Sequence, residues 1–244
     1  MEPATADGGL GLALLRPVRL GNAFEEAVER ILEAIKLGAF TAGDRLPPER
    51  ELAAHLNISR ETLREAIKAL QQSGYVETKR GRFGGTFVTY QPREPTPGDL
   101  NRAAAGLGEE LEDALTFRYA VEIGAAEAAA RNSLTREQRE RLNRRLADVQ
   151  QAGLPDYRQA DSRFHITVAE LAGSRMLTAT VIEARGLLND LLNAIPMLRH
   201  NIAHTGEQHA GIARAVLAGD PEAARRAAQE HLDGTAALLR GFLR

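Results

Sequence analysis

The chain has 244 residues, 43% of them apolar and 26% charged, a globular composition that excludes wholesale disorder and, at about 100–200 residues per domain, allows one large domain or two small ones. It has no cysteine, which excludes a disulfide framework, a thiolate metal site and a cysteine nucleophile. The formal net charge of −2 hides an asymmetry: between Ile58 and Tyr90 six basic residues (Arg60, Arg64, Lys68, Lys79, Arg80 and Arg82) stand against three acidic ones (Glu61, Glu65 and Glu77), a local excess that singles out this tract.

Residues 1–16 read as a flexible tail. The apolar run Leu10–Leu15 is too short to span a bilayer and has Glu2 and Asp7 before it instead of a basic stretch, so neither a membrane partner nor an export signal is expected and a cytoplasmic location is. Phe24, Val28, Ile31, Leu32 and Ile35 then fall on one helical face, with Asn22 as a cap and Gly38 as a stop. Pro47-Pro48 predicts a turn into a short helix, Pro48 to Leu56, burying Leu52, Ala53 and Leu56. Ser59 is suited to cap a third helix, Arg60 to Gln72, whose apolar face is Leu63, Ala66, Ile67 and Leu70.

The period changes next. Tyr75–Thr78 and Thr86–Thr89 read as strands around the basic, glycine-rich tip Lys79-Arg80-Gly81-Arg82-Phe83-Gly84-Gly85. Three prolines within Gln91–Gly98 have the composition of a linker. Everything beyond is helical in pattern, with six helices expected at about 107–131, 135–151, 155–172, 175–194, 200–218 and 221–242; the clearest boundary is Gly219-Asp220-Pro221, a C-terminal glycine, an N-cap and a proline for the first turn. The fold class expected is mainly α. Its parts are a flexible tail (1–16), a winged helix-turn-helix (17–90), a linker (91–106) and an antiparallel helical bundle (107–244).

Three helices with a tight turn before the third form the layout in which that third helix enters the DNA major groove. Its outward residues include Arg60, Thr62 and Arg64; arginine suits a guanine edge and threonine a base edge or phosphate. Lys79, Arg80 and Arg82 at the hairpin tip and Arg50 at the start of the second helix are placed for phosphates or the minor groove. A solvated basic face on a small helical domain is the competing reading. In the bundle, Asp161 and His165 share a helix face at i, i+4, and His209 and His231 follow 44 and 22 residues later. One carboxylate and three imidazoles form a donor set for a divalent metal, zinc, nickel or manganese. Spacing alone leaves open that these are ordinary core or surface histidines. His200 and His204 form a second i, i+4 pair, expected at the surface.

The runs Arg45-Leu46-Pro47-Pro48-Glu49-Arg50-Glu51-Leu52-Ala53, Ser59-Arg60-Glu61-Thr62-Leu63-Arg64-Glu65-Ala66 and Gly81-Arg82-Phe83-Gly84-Gly85-Thr86-Phe87-Val88 resemble the winged helix of the GntR family of bacterial regulators. The resemblance implies that Arg50, Arg60 and Arg64 and the wing-tip glycine, Gly81, contact double-stranded operator DNA. Phe83 departs from it, standing where relatives often carry glycine. The bundle resembles the FCD ligand-binding domain of the FadR branch, through Asp161-Ser162-Arg163-Phe164-His165, Glu207-Gln208-His209 and His231-Leu232. That resemblance implies a metal held by Asp161, His165, His209 and His231, zinc being the first choice. Relatives carry a pattern like Arg118-x3-Glu122, so Arg118 is a candidate for an anionic effector or for a structural ion pair; Asn189 is a further effector candidate. Together these imply a homodimeric transcriptional regulator, a repressor by the habit of the family, responding to a small carboxylate metabolite. A metal-dependent enzyme and a metal-free DNA-tethered interaction protein are the rivals, and no general acid or base stands out for the enzyme.

Overall fold

Helix α1 (Ala23–Lys36) buries Ala27, Ile31 and Ile35 along one stripe and ends as the sequence predicts. Gly38 takes φ +78°, and the bonds Gly38 N–H to Ile35 O and Ala39 N–H to Ala34 O close its last turn. The computed structural model describes residues 23–243 except 82–83, 94, 106–107 and 198, and within that range no side chains at 97, 102, 104, 105, 108, 109, 199–201 and 203. The expected tail at 1–16, the Asn22 cap, Arg82 and Phe83, and the side chain of His200 therefore lie outside the described residues.

Helices α2 (Glu49–Leu56) and α3 (Arg60–Gln72) are separated by Asn57, in the left-handed region at φ 54°, and by Ser59, whose hydroxyl accepts the Thr62 N–H. Pro48 sits at the N-cap of α2, one place earlier than expected. Leu63, Ala66, Ile67 and Leu70 of α3 are buried, the leucines and Ile67 in one cluster with Ile31 and Ile35; each of these larger side chains contributes about 1.5–3 kcal/mol of burial. Strands β1 (Val76–Lys79) and β2 (Gly85–Val88) pair antiparallel with Val76 opposite Val88 and Lys79 opposite Gly85. A lone two-stranded hairpin is marginal in water. Here Val76 and Val88 join the three-helix core, and the Arg45 segment adds a third partner, with Leu46 N–H donating to Thr86 O and Val88 N–H to Asp44 O.

The proline-rich stretch is not merely a tether. Pro97–Ala105 forms helix α4. Proline is acceptable at a first helical position, and Thr96 and Asp99 cap each other reciprocally, Thr96 N–H to Asp99 Oδ2 at 2.8 Å and Asp99 N–H to Thr96 Oγ1 at 3.3 Å. Linker composition concealed a capped helix that packs Leu100 and Ala103 onto the bundle. The bundle itself comprises α5 (Gly108–Arg131), α6 (Arg136–Gln151), α7 (Tyr157–Leu171), α8 (Arg175–Ala194), α9 (Arg199–Ala218) and α10 (Pro221–Leu243). Thr135 and Gln138 form a capping box at the start of α6, and Asp220 accepts the Ala223 N–H at the start of α10. Helix α5 runs through the middle, in contact with α7, α8, α9 and α10. None of the helices among the described residues is long and apolar enough to cross a membrane.

The winged helix docks directly on the bundle. Gln159 on α7 donates from Nε2 to the carbonyl of Ile35 at 2.9 Å, Arg163 donates from Nη1 to the carbonyl of Gly38 at 3.1 Å, and Lys36 pairs with Asp190 of α8 at 2.8 Å. The first two bonds go to carbonyls at the end of α1: that of Gly38, and that of Ile35, which also accepts the Gly38 N–H. Gly38 is the tightest point of this contact. A Cβ there would stand 2.6 Å from Arg163 Nη1 and 2.7 Å from Gln159 Cβ, at a positive φ. Gly38→Ala is expected to destabilise the protein by about 1–3 kcal/mol, read as a lower midpoint in urea denaturation.

Candidate metal centre

Asp161 and His165 lie one turn apart on the face of α7 that also buries Ala160, Phe164 and Val168. His209 enters from α9 and His231 from α10, both buried. One donor atom from each of the four residues falls within 4.8 Å of all the others. His165 Nε2 is 3.2 Å from His209 Nε2, which is 3.0 Å from Asp161 Oδ1. The His231 ring stacks on His165 with centroids 4.8 Å apart.

Two observations show that these residues fit a metal. Both ring nitrogens of His231 and Nδ1 of His209 are buried without a hydrogen-bond partner, which a protein interior rarely tolerates. His165 and His231 are also held toward the neutral form that metal ligation needs: burial pushes His165 down to about 4, and burial with the neighbouring His209 and His165 holds His231 well below the usual range. His165 Nδ1 lies 2.8 Å from Glu122 Oε2. A carboxylate on that nitrogen fixes the ring so that Nε2 faces the cluster.

Around the four lies a network of buried charge. Arg185 of α8 touches the Asp161 carboxylate and lies 3.6 Å from Glu122 Oε1. Arg118 of α5 donates from Nε to Glu122 Oε1 at 2.8 Å. Burial alone would raise both carboxyls. It is outweighed at Asp161 by Arg185 together with His209 and His165, and at Glu122 by Arg118, His165 and Arg185, so both sit well below the usual carboxylate range. Asn189 bonds from Nδ2 to Ser162 Oγ at 2.9 Å. A cavity of about 70 Å³ opens beside the cluster; Arg118, Arg158, Asp161, Asn189 and His231 line its polar part, and Leu192, Met197 and Leu238 its apolar part.

The structure thus brings together Asp161, His165, His209, His231, Arg118 and Asn189. His204 is exposed and bonded to Gln208, away from the cluster. In the winged helix, Arg50, Arg60 and Arg80 are exposed. Arg64 donates from Nε to Glu49 Oε2 at 2.8 Å, and the Thr62 hydroxyl lies 2.8 Å from Ser59 Oγ within the N-cap. Lys79 pairs with Glu77 at 2.7 Å and lies over the Phe87 ring. Gly81 takes φ +104° at the turn. Sequence reasoning missed Arg185 and Arg158. Arg185 carried a signal: with Val181, Ala184, Leu188 and Leu192 it falls on the buried stripe of α8, where an arginine must have a buried partner.

Two family profiles match in succession, that of bacterial regulatory proteins of the gntR family over residues 23–88 and that of the FCD domain over residues 113–234. The chain is 35% identical to RmpR of Mycobacterium gastri, a protein given the name of an HTH-type transcriptional regulator, over 84% of this chain and 76% of that one. It is 31% identical to the Exu regulon transcriptional regulator of Escherichia coli (strain K12), over 93% and 87% of the two chains. Among solved structures, E. coli McbR/YncC shares the fold with a TM-score of 0.55 at 19% identity, over 91% of this chain and 99% of that one.

The charge network yields a contrast that can be measured. Arg185→Met leaves two buried carboxylates short of a counter-charge and is expected to cost about 3–5 kcal/mol. Arg136→Ala removes an exposed pair with Glu140 and is expected to cost at most about 0.5 kcal/mol. Urea denaturation of the two variants checks both, and equal losses would count against a buried network held by Arg185.

Proposed function

The chain belongs to the GntR family of bacterial regulatory proteins and carries an FCD domain, and on that premise we propose that it is a homodimeric repressor whose hold on operator DNA is set by a small organic acid bound at a metal in the bundle. We assign residues 17–90 to DNA binding, 91–106 to the connection and 107–244 to sensing. The observation that carries the reading is the buried convergence of Asp161, His165, His209 and His231 beside a cavity with Arg118 and Asn189 in its wall.

Asp161, His165, His209 and His231 would hold a divalent ion; nitrogen and oxygen donors without sulfur suit zinc, and also nickel or manganese. Such an ion supplies a Lewis-acidic centre for carboxylate oxygens. Glu122 keeps His165 turned inward, Arg185 keeps Asp161 ionised, and Arg118 offers an unspent guanidinium N–H to an acid. On the DNA side, Arg50, Arg60, Thr62 and Arg64 would meet bases and adjoining phosphates, with Lys79, Arg80, Gly81 and Arg82 on the backbone or minor groove.

A route from one site to the other is short. Helix α7 carries Asp161 and His165 on one side and Gln159 and Arg163, bonded to the end of α1, on another. Helix α8 carries Arg185 and Asn189 next to Gly186 and Asp190, which meet Glu33 and Lys36 of α1. A shift of α7 or α8 on acid binding therefore acts on the winged helix without passing through residues 91–106. Acid and operator must alter each other's affinity by the same factor.

Arg60→Ala is expected to weaken operator binding by about 1–3 kcal/mol and to relax base preference, with an unchanged melting temperature; unaltered footprints would place base reading elsewhere. His209→Ala combined with His231→Ala is expected to abolish bound metal in elemental analysis of the purified protein. Equal metal in variant and parent would show that the ligands are other residues.

A further inference from the structure

The cavity beside the cluster has two cationic walls. Arg118 spends Nε on Glu122 and keeps a buried Nη1 without a partner. Arg158, at the start of α7, lines the same cavity. Its side chain donates from Nη2 to the carbonyl of Ile195 at 3.0 Å, and among the described residues no carboxylate lies within ion-pair distance of it. Burial draws its pKa down to about 10, against the opposing pull of Asp161 and Tyr157. A largely buried guanidinium whose protein partner is a neutral carbonyl still has charge to compensate.

Charge balance over the whole network points the same way. Three guanidiniums, of Arg118, Arg158 and Arg185, stand against two carboxylates, of Asp161 and Glu122, and Arg118 and Arg185 are the ones in ion-pair contact with them. One positive charge is in excess before any metal, and a divalent ion adds two more. A monocarboxylate answers one of these charges and leaves Arg158 as it was. An acid with a second carboxylate answers two, and the second lies where the protein provides no counter-ion. The cavity of about 70 Å³ restricts such an acid to a short chain.

We infer that the ligand of this site is a short dicarboxylate, one carboxylate taken at the four-residue cluster with Arg118 and the other by Arg158. Arg158 is then the residue that sets specificity for a second acid group. The inference rests on the reading of the bundle as an acid-binding domain.

The test uses the full chain loaded with zinc and acid pairs that differ only in the second carboxylate: succinate against butyrate, and malate against 2-hydroxybutyrate. Calorimetric titration is expected to find each diacid about tenfold to a hundredfold tighter than its partner, the span of one charged hydrogen-bonded contact. Arg158→Gln is expected to bring the diacids to the level of the monoacids, with the monoacid affinities, zinc content and melting temperature unchanged. Equal affinity within each pair in the parent protein overturns the inference. So does an Arg158→Gln variant that loses both members of a pair equally, because Arg158 then only braces the Ile195 carbonyl. If zinc binds and neither acid of either pair does, the acid-responsive reading of the bundle falls as well; a tie within the pairs overturns the dicarboxylate alone.

Discussion

Two carboxylates buried among five helices need cations beside them, and that requirement organises the bundle. Asp161 and Glu122 occupy the interior with Arg185 against both and Arg118 against Glu122. Desolvating such ions costs several kcal/mol each, and their mutual attraction offsets that cost only when the geometry is good. An apolar set of similar volume would stabilise the bundle at least as well. The apolar clusters to either side, one around Phe164, Leu142 and Ile212 and the other around Leu111, Leu188 and Leu239, supply the stability. The charged centre sits in their midst.

The three histidines extend the same logic. They are buried, with Phe164 in ring contact with two of them, and the ring of His231 has neither nitrogen satisfied. Unsatisfied buried nitrogens are costly in an ordinary core and are the groups a metal ion would engage. The fold accepts this cost at one place because α5, α7, α8, α9 and α10 are all anchored elsewhere by apolar contacts.

Helices α7 and α8 each serve two neighbours. Their inward residues meet the charged centre, while Gln159, Arg163 and Asp190 hold the end of α1. A helix turns by about 100° per residue, so positions one or two apart face different surroundings. The bundle's charged centre and the winged helix are therefore joined through the same two helices. In the winged helix, contacts such as Arg64 with Glu49 and Thr62 with Ser59 tie the exposed end of α3 to α2 and to its own cap, so the surface facing outward is held in place before any partner arrives.

Much of the local grammar of the chain was legible. Capping residues Ser59 and Asp220, the stops at Gly38 and Gly219, and the change from helical period to alternation near Tyr75 are short-range effects of backbone geometry, so they survive without knowledge of the fold. Asp161 and His165 were legible as a pair because one helix turn joins them. Helix α4 was not, since proline content reads as linker unless the Thr96–Asp99 cap is seen in three dimensions. Which charged side chains are buried, and beside what, was decided only by tertiary packing. Arg158 looks like any surface arginine until its guanidinium meets the Ile195 carbonyl, and the buried stripe of α8 marks Arg185 without naming its partners, Asp161 and Glu122. The meeting of His209 and His231 with Asp161 depends on how α9 and α10 cross α7, a long-range matter of packing that spacing along the chain does not encode.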